Sequence, residues 1–194
     1  MVSQTQPDFV FHLAAQPLVR QSYLDPLETY QTNVLGTLNL LEALRPLEKE
    51  CTVVLITSDK CYDNVEWVWG YRETDRLGGP DPYSASKGAA ELVISSHIRT
   101  FFPKEGNIRI GIGRAGNVIG GGDWAENRII PDAIRSIENN NTLIIRSPNA
   151  TRPWQHVLEP LSGYIILAID LKNSNKNNGQ AFNFGPSFKS DYTV

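Results

Sequence analysis

Three short apolar runs, separated by segments with helical periodicity, constrain the fold of this chain more than any other feature. The runs are residues 9–13, 52–56 and 108–112. Apolar runs of this length without polar alternation are typical of strands that are buried on both faces of a sheet. Because strand-like and helix-like segments alternate, the sequence predicts a parallel α/β sheet with right-handed crossover connections.

The segments between these runs show the spacing of amphipathic helices. Asp25-Pro26 and Asp81-Pro82 each open a helix, since Asp caps the first N–H groups and Pro suits the first turn. The apolar face predicted for the first helix consists of Leu27, Tyr30, Val34, Leu38 and Leu41. The inner face predicted for the second consists of Ala89, Leu92, Val93 and Ser96. Further on, we expect helices at about 131–138 and after 157, and strands at 143–146 and 181–185.

Charge and cysteine content exclude several classes of function. The formal net charge is -3 and no Lys/Arg cluster occurs, which argues against a nucleic-acid-binding surface. No segment resembles a membrane span or a secretion signal. Cys51 and Cys61 flank an apolar strand and are best explained as buried thiols, and three His without ligand-like spacing indicate no metal site.

Tyr83 and Lys87 lie four residues apart in the helix that Asp81-Pro82 opens, and therefore on one face of it. A cation beside a phenol favours the phenolate and lowers its pKa, which is one way to make a usable base. The spacing alone is a weak indication, since the chain has 7 Tyr and Lys is common. The neighbouring motifs have to support the interpretation.

A glycine pattern in the middle of the chain imitates a cofactor-binding loop. Gly111, Gly113 and Gly116 match G-x-G-x-x-G. That fingerprint binds a dinucleotide only where the third glycine enters a helix, and the sequence after Gly116 (NVIGGG, residues 117–122) cannot start one. We therefore interpret the pattern as a decoy.

Several longer motifs occur together in the order that one family shows. They are His12-Leu13-Ala14-Ala15-Gln16, Thr32-Asn33-Val34-Leu35-Gly36-Thr37, Thr57-Ser58-Asp59-Lys60-Cys61-Tyr62, Tyr83-Ser84-Ala85-Ser86-Lys87, Arg114-Ala115-Gly116-Asn117-Val118, Arg128-Ile129-Ile130-Pro131, Arg152-Pro153-Trp154 and Phe182-Asn183-Phe184-Gly185. On these motifs almost the whole chain resembles extended short-chain dehydrogenase/reductases, specifically nucleotide-sugar 4,6-dehydratases. The resemblance implies a Rossmann-type fold, NAD as cofactor and a nucleotide sugar as substrate.

The resemblance also implies a reaction and the residues that perform it. In this family NAD takes hydride from C4 of the sugar, water is lost across C5 and C6, and hydride returns to C6. Tyr83 would remove the proton of the 4-hydroxyl, with Lys87 lowering its pKa and bonding the nicotinamide ribose. Ser58 would hydrogen-bond the 4-oxygen. Asp59 would protonate the departing 6-hydroxyl, which requires a pKa raised by burial.

Lys60 departs from the commoner dehydratase pattern, in which a Glu takes the proton from C5. A Lys in that place is similar to the members that act on CDP-glucose. To act as the base it must be neutral, with a pKa lowered toward about 7–8. The alternative is a Lys60 that forms an ion pair with Asp59 and organises the site without abstracting a proton.

The resemblance assigns the remaining site residues to cofactor and substrate. Leu13, Ala14, Ala15 and Thr32 would lie along the ribose–nicotinamide half of NAD, although helix–strand packing would also explain small residues there. The substrate contacts implied are Gln16, Ser58, Asn117, Arg128, Arg152 and Asn183. Arg suits a diphosphate because it binds bidentately. Asn183 suits a turn nearly as well, residues 144–146 are expected near the nucleotide base, and Trp124 and Trp154 either stack on a base or fill core.

The match begins partway through the family's fold. In a sheet ordered 3-2-1-4-5-6 this chain starts at strand 4 and lacks the glycine-rich loop for the adenosine half of NAD. We expect residues 1–128 to form the C-terminal part of a NAD-binding Rossmann domain, with 9–13 as an edge strand. Residues 129–194 would form a partial substrate-binding region interleaved with it. For this chain alone we expect weak or no NAD binding and no turnover.

Three functions remain open on the sequence. The first is a dehydratase acting on CDP-glucose, present here as a fragment; the full-length enzyme would be a cytoplasmic homodimer in deoxysugar biosynthesis for lipopolysaccharide O-antigen. The second is another dehydratase or an epimerase of the family, although an epimerase has no use for Asp59-Lys60. The third is a truncated, non-catalytic module that retains the substrate-side residues.

Overall fold

The computed structural model describes residues 2–186 and 192–193. Its strands are β1 (Phe9–His12), β2 (Cys51–Ile56), β3 (Ile108–Ala115), β4 (Val118–Ile119), β5 (Thr151–Arg152), β6 (Gln155–His156), β7 (Ala181–Phe184) and β8 (Tyr192–Thr193). Its helices are α1 (Val2–Thr5), α2 (Val19–Leu24), α3 (Pro26–Tyr30), α4 (Gly36–Leu44), α5 (Pro82–Phe101), α6 (Ile129–Glu138) and α7 (Leu158–Asn173). A π-helical turn (Gln31–Leu35) joins α3 to α4, and a 3-10 turn (Asp59–Cys61) follows β2.

The main sheet has the order β1-β2-β3-β7, and each neighbouring pair of strands is parallel. This confirms the predicted parallel α/β fold. Central strand β2 is buried along nearly its whole length. β1 is an edge of this sheet, and Phe9 and Phe11 remain 43% and 42% exposed, so its expected burial on both faces was wrong. Val10, which points to the opposite face from Phe9 and Phe11, packs against a core, so the burial of β1 is one-sided.

Helices cover both faces of the sheet, because successive residues of a strand point to opposite sides. Val53 and Val54 of β2 illustrate this, since they belong to different cores. The core on one side includes Leu41, Leu44, Val53, Ile94 and Ile110, from α4, α5 and the strands. The core on the other side includes Val54, Tyr164, Leu167, Ala168 and Leu171, mostly from α7. The carboxyl ends of β1, β2 and β3 therefore meet at one rim, where ligands bind in folds of this kind.

The glycine pattern of residues 111–116 lies mostly within β3 and serves packing. A Cβ at Gly111 would lie 2.8 Å from Leu171 Cδ1, and one at Gly113 would lie 3.0 Å from Tyr164 Cε1. These glycines let α7 approach the strand closely. The interpretation of the pattern as a decoy is confirmed.

Hydrophobic periodicity predicted the wrong inner face for the first helix. Asp25 does cap it, accepting a hydrogen bond from the Glu28 backbone N–H. However, Leu27 and Tyr30 are 66% and 37% exposed. Leu41 is buried as predicted, and Val34 and Leu38 are half-buried, but the other fully buried positions are Thr29, Asn33 and Thr37. The π-helical turn shifts the faces of the helix, and the buried stripe is largely polar, so an apolar count does not detect it.

The second long helix, α5, shows the same kind of error. Asp81 caps it and Pro82 takes its first turn, as predicted. The expected inner residues Leu92 and Ser96 are exposed, whereas Glu91 is buried, together with Ser86, Lys87, Ala90 and Ile94. The inner face of α5 carries charged and hydroxyl side chains. The apolar pattern therefore predicted adjacent positions of the helix as the inner face.

The second half of the chain meets the predictions in part. α6, α7 and β7 lie where helices and a strand were predicted, but residues 143–146 form no strand. α7 packs on the main sheet and β7 extends it, so these elements from beyond residue 129 are interleaved with the first region. The boundary at 128/129 stays a prediction. No helix within the described ranges is long and apolar enough to span a membrane.

Candidate active site

The carboxyl end of β2 delivers Ser58 and Asp59 to the rim of the sheet. Ser58 caps the 3-10 turn: its Oγ accepts a hydrogen bond from the Lys60 backbone N–H at 3.2 Å. The same Oγ donates to Asp59 Oδ1 at 3.0 Å. The turn thus fixes a hydroxyl and a carboxyl side by side at the end of a buried strand.

The first turn of α5 brings Tyr83 to the same place. Its backbone N–H donates to Ser22 Oγ at 3.1 Å, which anchors the start of the helix to α2. The Tyr83 side chain is only 7% exposed, and the Ser58 side chain lies close enough to its phenol to act on the phenol's pKa. Lys87, one turn on, is 5% exposed, and its Nζ lies 5.9 Å from the Tyr83 ring centroid. The structure therefore brings together Ser58, Asp59, Tyr83 and Lys87 as predicted from sequence, while their catalytic roles stay predictions.

Electrostatics at Tyr83 differ from the expectation. Burial raises the pKa of Tyr83, although the hydrogen bond to Ser58 and the charge of Arg128 act in the opposite direction. Burial also lowers the pKa of Lys87 to about 8. The prediction that Lys87 sets a lowered Tyr83 pKa is therefore wrong for this structure: desolvation dominates both groups, and the cation that favours the phenolate is Arg128.

Asp59 has the electrostatics that a proton donor needs. Burial raises the pKa of its carboxyl, against the opposing charges of Lys60 and Arg152 and the hydrogen bond from Ser58. The predicted direction is confirmed. Lys60 is partly exposed, and none of the salt bridges within 4.0 Å among the described residues joins it to Asp59. The alternative of a direct Lys60–Asp59 ion pair is thus not met here.

The residues predicted to contact the cofactor follow β1 at the same rim. Leu13 and Ala14 are exposed, Ala15 is half-buried, and Thr32 lies half-buried on the π-helical turn. Their small or exposed side chains leave the backbone after β1 accessible, which fits the close approach of a ribose and nicotinamide. Burial lowers the pKa of His12 at the end of β1, and the charge of Lys87 acts in the same direction.

Gln16 holds the chain together internally rather than pointing outward. Its Nε2 donates to Thr29 Oγ1 at 2.8 Å, and its Oε1 accepts from the Leu18 backbone N–H at 2.6 Å. Its backbone N–H donates to Asn33 Oδ1 at 2.8 Å. Asn33 Nδ2 in turn donates to Ser86 Oγ at 2.8 Å. This buried network ties the loop after β1 to α5, and the predicted substrate contact of Gln16 is not supported, because its amide is already engaged.

The two predicted diphosphate-binding arginines, Arg128 and Arg152, are both half-buried. Arg128 caps α6, and its Nε lies 3.1 Å from Asp123 Oδ2 without hydrogen-bond geometry. Arg152 on β5 is half-buried, and its charge acts on Asp59. Gly116 permits this approach, because a Cβ there would lie 2.6 Å from Pro153 Cγ and 3.4 Å from Asp59 Oδ2. The charge of Arg128 acts on the pKa of Tyr83, and the charge of Arg152 acts on that of Asp59.

The positions of the other predicted substrate-side residues give less support to a substrate contact. Asn117 is half-buried in the loop after β3, where its carbonyl accepts from the Gln155 backbone N–H at 3.0 Å. Asn183 is exposed, yet its Oδ1 accepts from Tyr62 Oη at 2.6 Å and its Nδ2 donates to the Tyr71 carbonyl at 2.9 Å. Ile144 is 82% exposed and Trp124 is 56% exposed, so neither fills core. Asn183 therefore has a structural part beside any substrate contact.

Sequence reasoning missed a buried ion pair directly behind the site. Glu91 of α5 and Arg114 of β3 form two hydrogen bonds, Nε to Oε1 and Nη2 to Oε2, each of 2.8 Å. Both residues are almost completely buried. The available signal was that Tyr83, Lys87 and Glu91 recur every four residues, which places the carboxylate on the same helix face as the catalytic candidates.

Comparisons with known proteins show the family of the chain. A sequence model of the family described as GDP-mannose 4,6 dehydratase matches residues 1–183. The CDP-glucose 4,6-dehydratase of Salmonella typhimurium strain LT2 is 55% identical over 100% of this chain and 55% of that protein. GDP-6-deoxy-D-mannose reductase of Pseudomonas aeruginosa is 33% identical over 83% of this chain and 53% of that protein.

Solved structures show the same fold. RMD from Pseudomonas aeruginosa complexed with NADPH superposes with a TM-score of 0.79 at 28% identity, covering 96% of this chain and 61% of that one. MoeE5 in complex with UDP-glucose and NAD gives 0.80 at 26% identity, covering 97% and 59%. The chain thus has the Rossmann-type fold that these NADPH- and NAD-bound proteins share. The chain belongs to the GDP-mannose 4,6 dehydratase family. It spans about half the length of the curated relatives it matches.

Proposed function

We propose that the protein to which this chain belongs converts CDP-glucose to CDP-4-keto-6-deoxyglucose and water. The observation that carries the proposal is the hydrogen-bonded Ser58–Asp59 pair beside Tyr83, with a buried carboxyl whose pKa is raised. Loss of the 6-hydroxyl requires an acid at that position, whereas an epimerase or a reductase has no use for one. The 55% identity to a CDP-glucose 4,6-dehydratase supports the choice of substrate.

Tyr83 and Ser58 have the geometry to deprotonate the 4-hydroxyl. In the proposal the Ser58 hydroxyl hydrogen-bonds the 4-oxygen of the sugar. The Tyr83 phenolate, which lies beside Ser58, takes the proton of the 4-hydroxyl. NAD supplies the group that accepts and returns the hydride. Lys87 binds the nicotinamide ribose, and the accessible backbone of residues 13–15 receives that half of the cofactor.

Asp59 and Lys60 perform the elimination. The protonated Asp59 carboxyl gives its proton to the departing 6-hydroxyl, and the Lys60 amine takes the proton from C5. The resulting Lys60 ammonium returns a proton to C5 when the hydride is added to C6. This division is favoured because no direct ion pair holds the Lys60 side chain against Asp59 in the described structure. Asn117, Arg128 and Arg152 bind the diphosphate, with the two arginines placed near Tyr83 and Asp59 respectively.

The surface of α3 and α5 supports a homodimer. The two helices pack against each other, and large apolar side chains remain outside: Leu27 is 66% exposed and Leu92 is 63% exposed. A second copy of the chain would bury them. Sedimentation of the protein and of its Leu92→Glu variant tests this proposal, which a monomeric unsubstituted protein would refute.

We further propose a cytoplasmic enzyme whose product enters deoxysugar biosynthesis for lipopolysaccharide O-antigen. Cys51 and Cys61 are free and buried, and burial raises their pKa values to about 11 and about 12. Unpaired thiols suit a reducing compartment. Cell fractionation tests the location, and the sugar composition of lipopolysaccharide after gene deletion tests the pathway.

The decisive experiment is an assay of product identity. The 194-residue chain, and a longer form that includes any natural coding sequence flanking it, are each incubated with NAD and CDP-glucose; the form that turns over is called the active form below. Mass spectrometry should find the mass of the substrate less one water, and NMR a 4-keto-6-deoxy sugar. UDP-glucose, dTDP-glucose and GDP-mannose serve as controls. A 4-epimer of unchanged mass, or no product from either form, would refute the proposal.

A further inference from the structure

The Glu91–Arg114 ion pair joins the catalytic helix to the central sheet. Glu91 and Arg114 are 2% and 4% exposed, and the guanidinium and carboxylate meet in a bidentate contact. A buried pair of charges is weak evidence for stability, because an apolar pair of similar volume often serves as well. What an apolar pair cannot supply is directional hydrogen bonds to further groups.

Those further groups are the two ends of the segment 57–62, which contains the acid/base candidates. At its start, Thr57 Oγ1 donates to Glu91 Oε1 at 2.5 Å. At its end, the Tyr62 hydroxyl accepts from Arg114 Nη1 at 2.8 Å. One ion pair therefore holds the first and the last side chain of a single functional segment.

The segment also rests directly on α5. A Cβ at Gly88 would lie 3.2 Å from the Cys61 carbonyl oxygen, so the helix and the segment touch at a position where a side chain would push them apart. Glu91 lies eight residues after Tyr83 in the same helix, about 12 Å along its axis. The contact between Ser58 and Tyr83 spans two separate elements, and it holds only while these elements keep their relative position.

We propose that Glu91 and Arg114 are positioning residues that fasten both ends of segment 57–62 to α5 and thereby hold Ser58 against Tyr83. The proposal deepens the proposed function and rests on it for its kinetic consequence. Its structural consequence can be measured in this chain without turnover.

The test avoids substituting the ion pair itself. Replacing Glu91 or Arg114 would leave the other charge buried without a partner, which can unfold the protein. Thr57→Val and Tyr62→Phe each remove one fastening and leave the pair intact, with almost no change in side-chain volume. Tyr62→Phe also removes the hydrogen bond from the Tyr62 hydroxyl to Asn183, so Thr57→Val is the cleaner of the two variants. The double variant removes both.

Two variants with the same chemical change serve as matched controls. Thr52→Val replaces a buried Thr on β2, five residues before Thr57. Tyr71→Phe removes a hydroxyl that bonds Asn64 and Val65 instead of Arg114, on a ring that stacks on Tyr62 at 5.2 Å.

In the 194-residue chain, hydrogen exchange and NMR report on the fastening. We expect the backbone amides of residues 60–62 to exchange about five- to tenfold faster in Thr57→Val and in Tyr62→Phe, as for the loss of one hydrogen bond. In the chain labelled with carbon-13 at tyrosine Cζ, the chemical shift of Tyr83 Cζ in both fastening variants should change in the same direction as in Ser58→Ala. Thr52→Val and Tyr71→Phe should change neither. Unchanged exchange and an unchanged Tyr83 resonance in both fastening variants would overturn the proposal.

Kinetics of the active form separate positioning from plain stability. Each fastening variant should lower kcat by about tenfold to a hundredfold, because a small misplacement of reacting groups has effects of that size. The KM for CDP-glucose should stay within about twofold. Faster exchange with an unchanged kcat would overturn the positioning role and leave a structural one. If the unsubstituted protein forms no product in either form, the proposed function fails, and the exchange pattern and Tyr83 resonance still decide whether the ion pair holds Ser58 against Tyr83.

Discussion

The inner side of the site and its outer rim are built in opposite ways. On the inner side Ser58, Tyr83, Lys87 and Glu91 are all no more than 9% exposed, and hydrogen bonds or an ion pair fix most of them. On the rim, the Arg128 Nε lies 3.1 Å from Asp123 Oδ2 in a salt bridge without hydrogen-bond geometry, and the Arg152 guanidinium donates to the carbonyl of its own neighbour, Thr151.

This difference suggests a division of labour. Buried groups that already contact one another need no reorganisation when a substrate binds, which is the condition for efficient proton transfer. Each arginine at the rim has five N–H donors and uses few of them in these contacts, so donors remain available for an anionic ligand. Substitutions on the inner side should therefore act on kcat, and substitutions at the rim should act on affinity.

The largest effect is expected for Tyr83→Phe in the active form. The substitution removes the phenolic oxygen and keeps the ring, so kcat should fall by about a hundredfold to ten-thousandfold, the range for loss of an acid–base group. Affinity for CDP should not change. In the unsubstituted enzyme the rate of C4 oxidation should rise with pH, because burial raises the pKa of Tyr83 and more phenolate forms as the medium becomes alkaline. Stopped-flow measurement of C4 oxidation checks this. A near-normal rate would refute Tyr83 as the base, and Tyr71→Phe is the control.

Lys60→Met should have a narrower effect. Exchange of the C5 hydrogen with solvent deuterium should slow by about a hundredfold, while oxidation at C4 continues, since the amine acts only in the elimination. Mass spectrometry of substrate recovered from deuterium oxide measures the exchange. Lys49→Met is the control, because Lys49 forms a salt bridge with Asp8 at the surface. Unchanged exchange in Lys60→Met would leave Lys60 with an organising role and without proton abstraction.

How far the sequence could predict this molecule depends on the local chemistry of each element. Asp81-Pro82 fixes the start of α5 through contacts within four residues, so Tyr83 and Lys87 could be placed before the structure was known. Family motifs located Ser58 and Asp59 at the end of β2. These predictions need only local signals or a long ordered match.

Buried polar groups defeated the prediction elsewhere. Glu91 and Asn33 occupy inner helix faces because partners from distant strands and loops satisfy them, and those partners are separated by up to 53 residues for Asn33 and Ser86. Hydrophobic periodicity counts such residues as exposed, so the inner face that it predicted for each of the two helices was turned away from the true one. The prediction of a lowered Tyr83 pKa was wrong for a related reason. Desolvation depends on tertiary burial, and the spacing of residues in the sequence contains no information about it.

The smallest effect is expected at the rim, for Arg152→Ala. Loss of a charge-assisted contact should weaken CDP binding by about tenfold, and the dependence of affinity on salt should decrease.

The Arg152 charge also lowers the pKa of Asp59, so its removal should raise that pKa further. Since Asp59 must be protonated to act as the acid, the alkaline fall in kcat should then move to higher pH. Arg152→Lys, which keeps the charge and loses the bidentate fork, should restore the pH profile but only part of the affinity. Calorimetry with CDP and the pH dependence of kcat measure the two effects separately. An Arg152→Ala protein with unchanged affinity would place the diphosphate elsewhere, and one with a large loss of kcat at neutral pH would mean that rim and inner side do not divide affinity from catalysis.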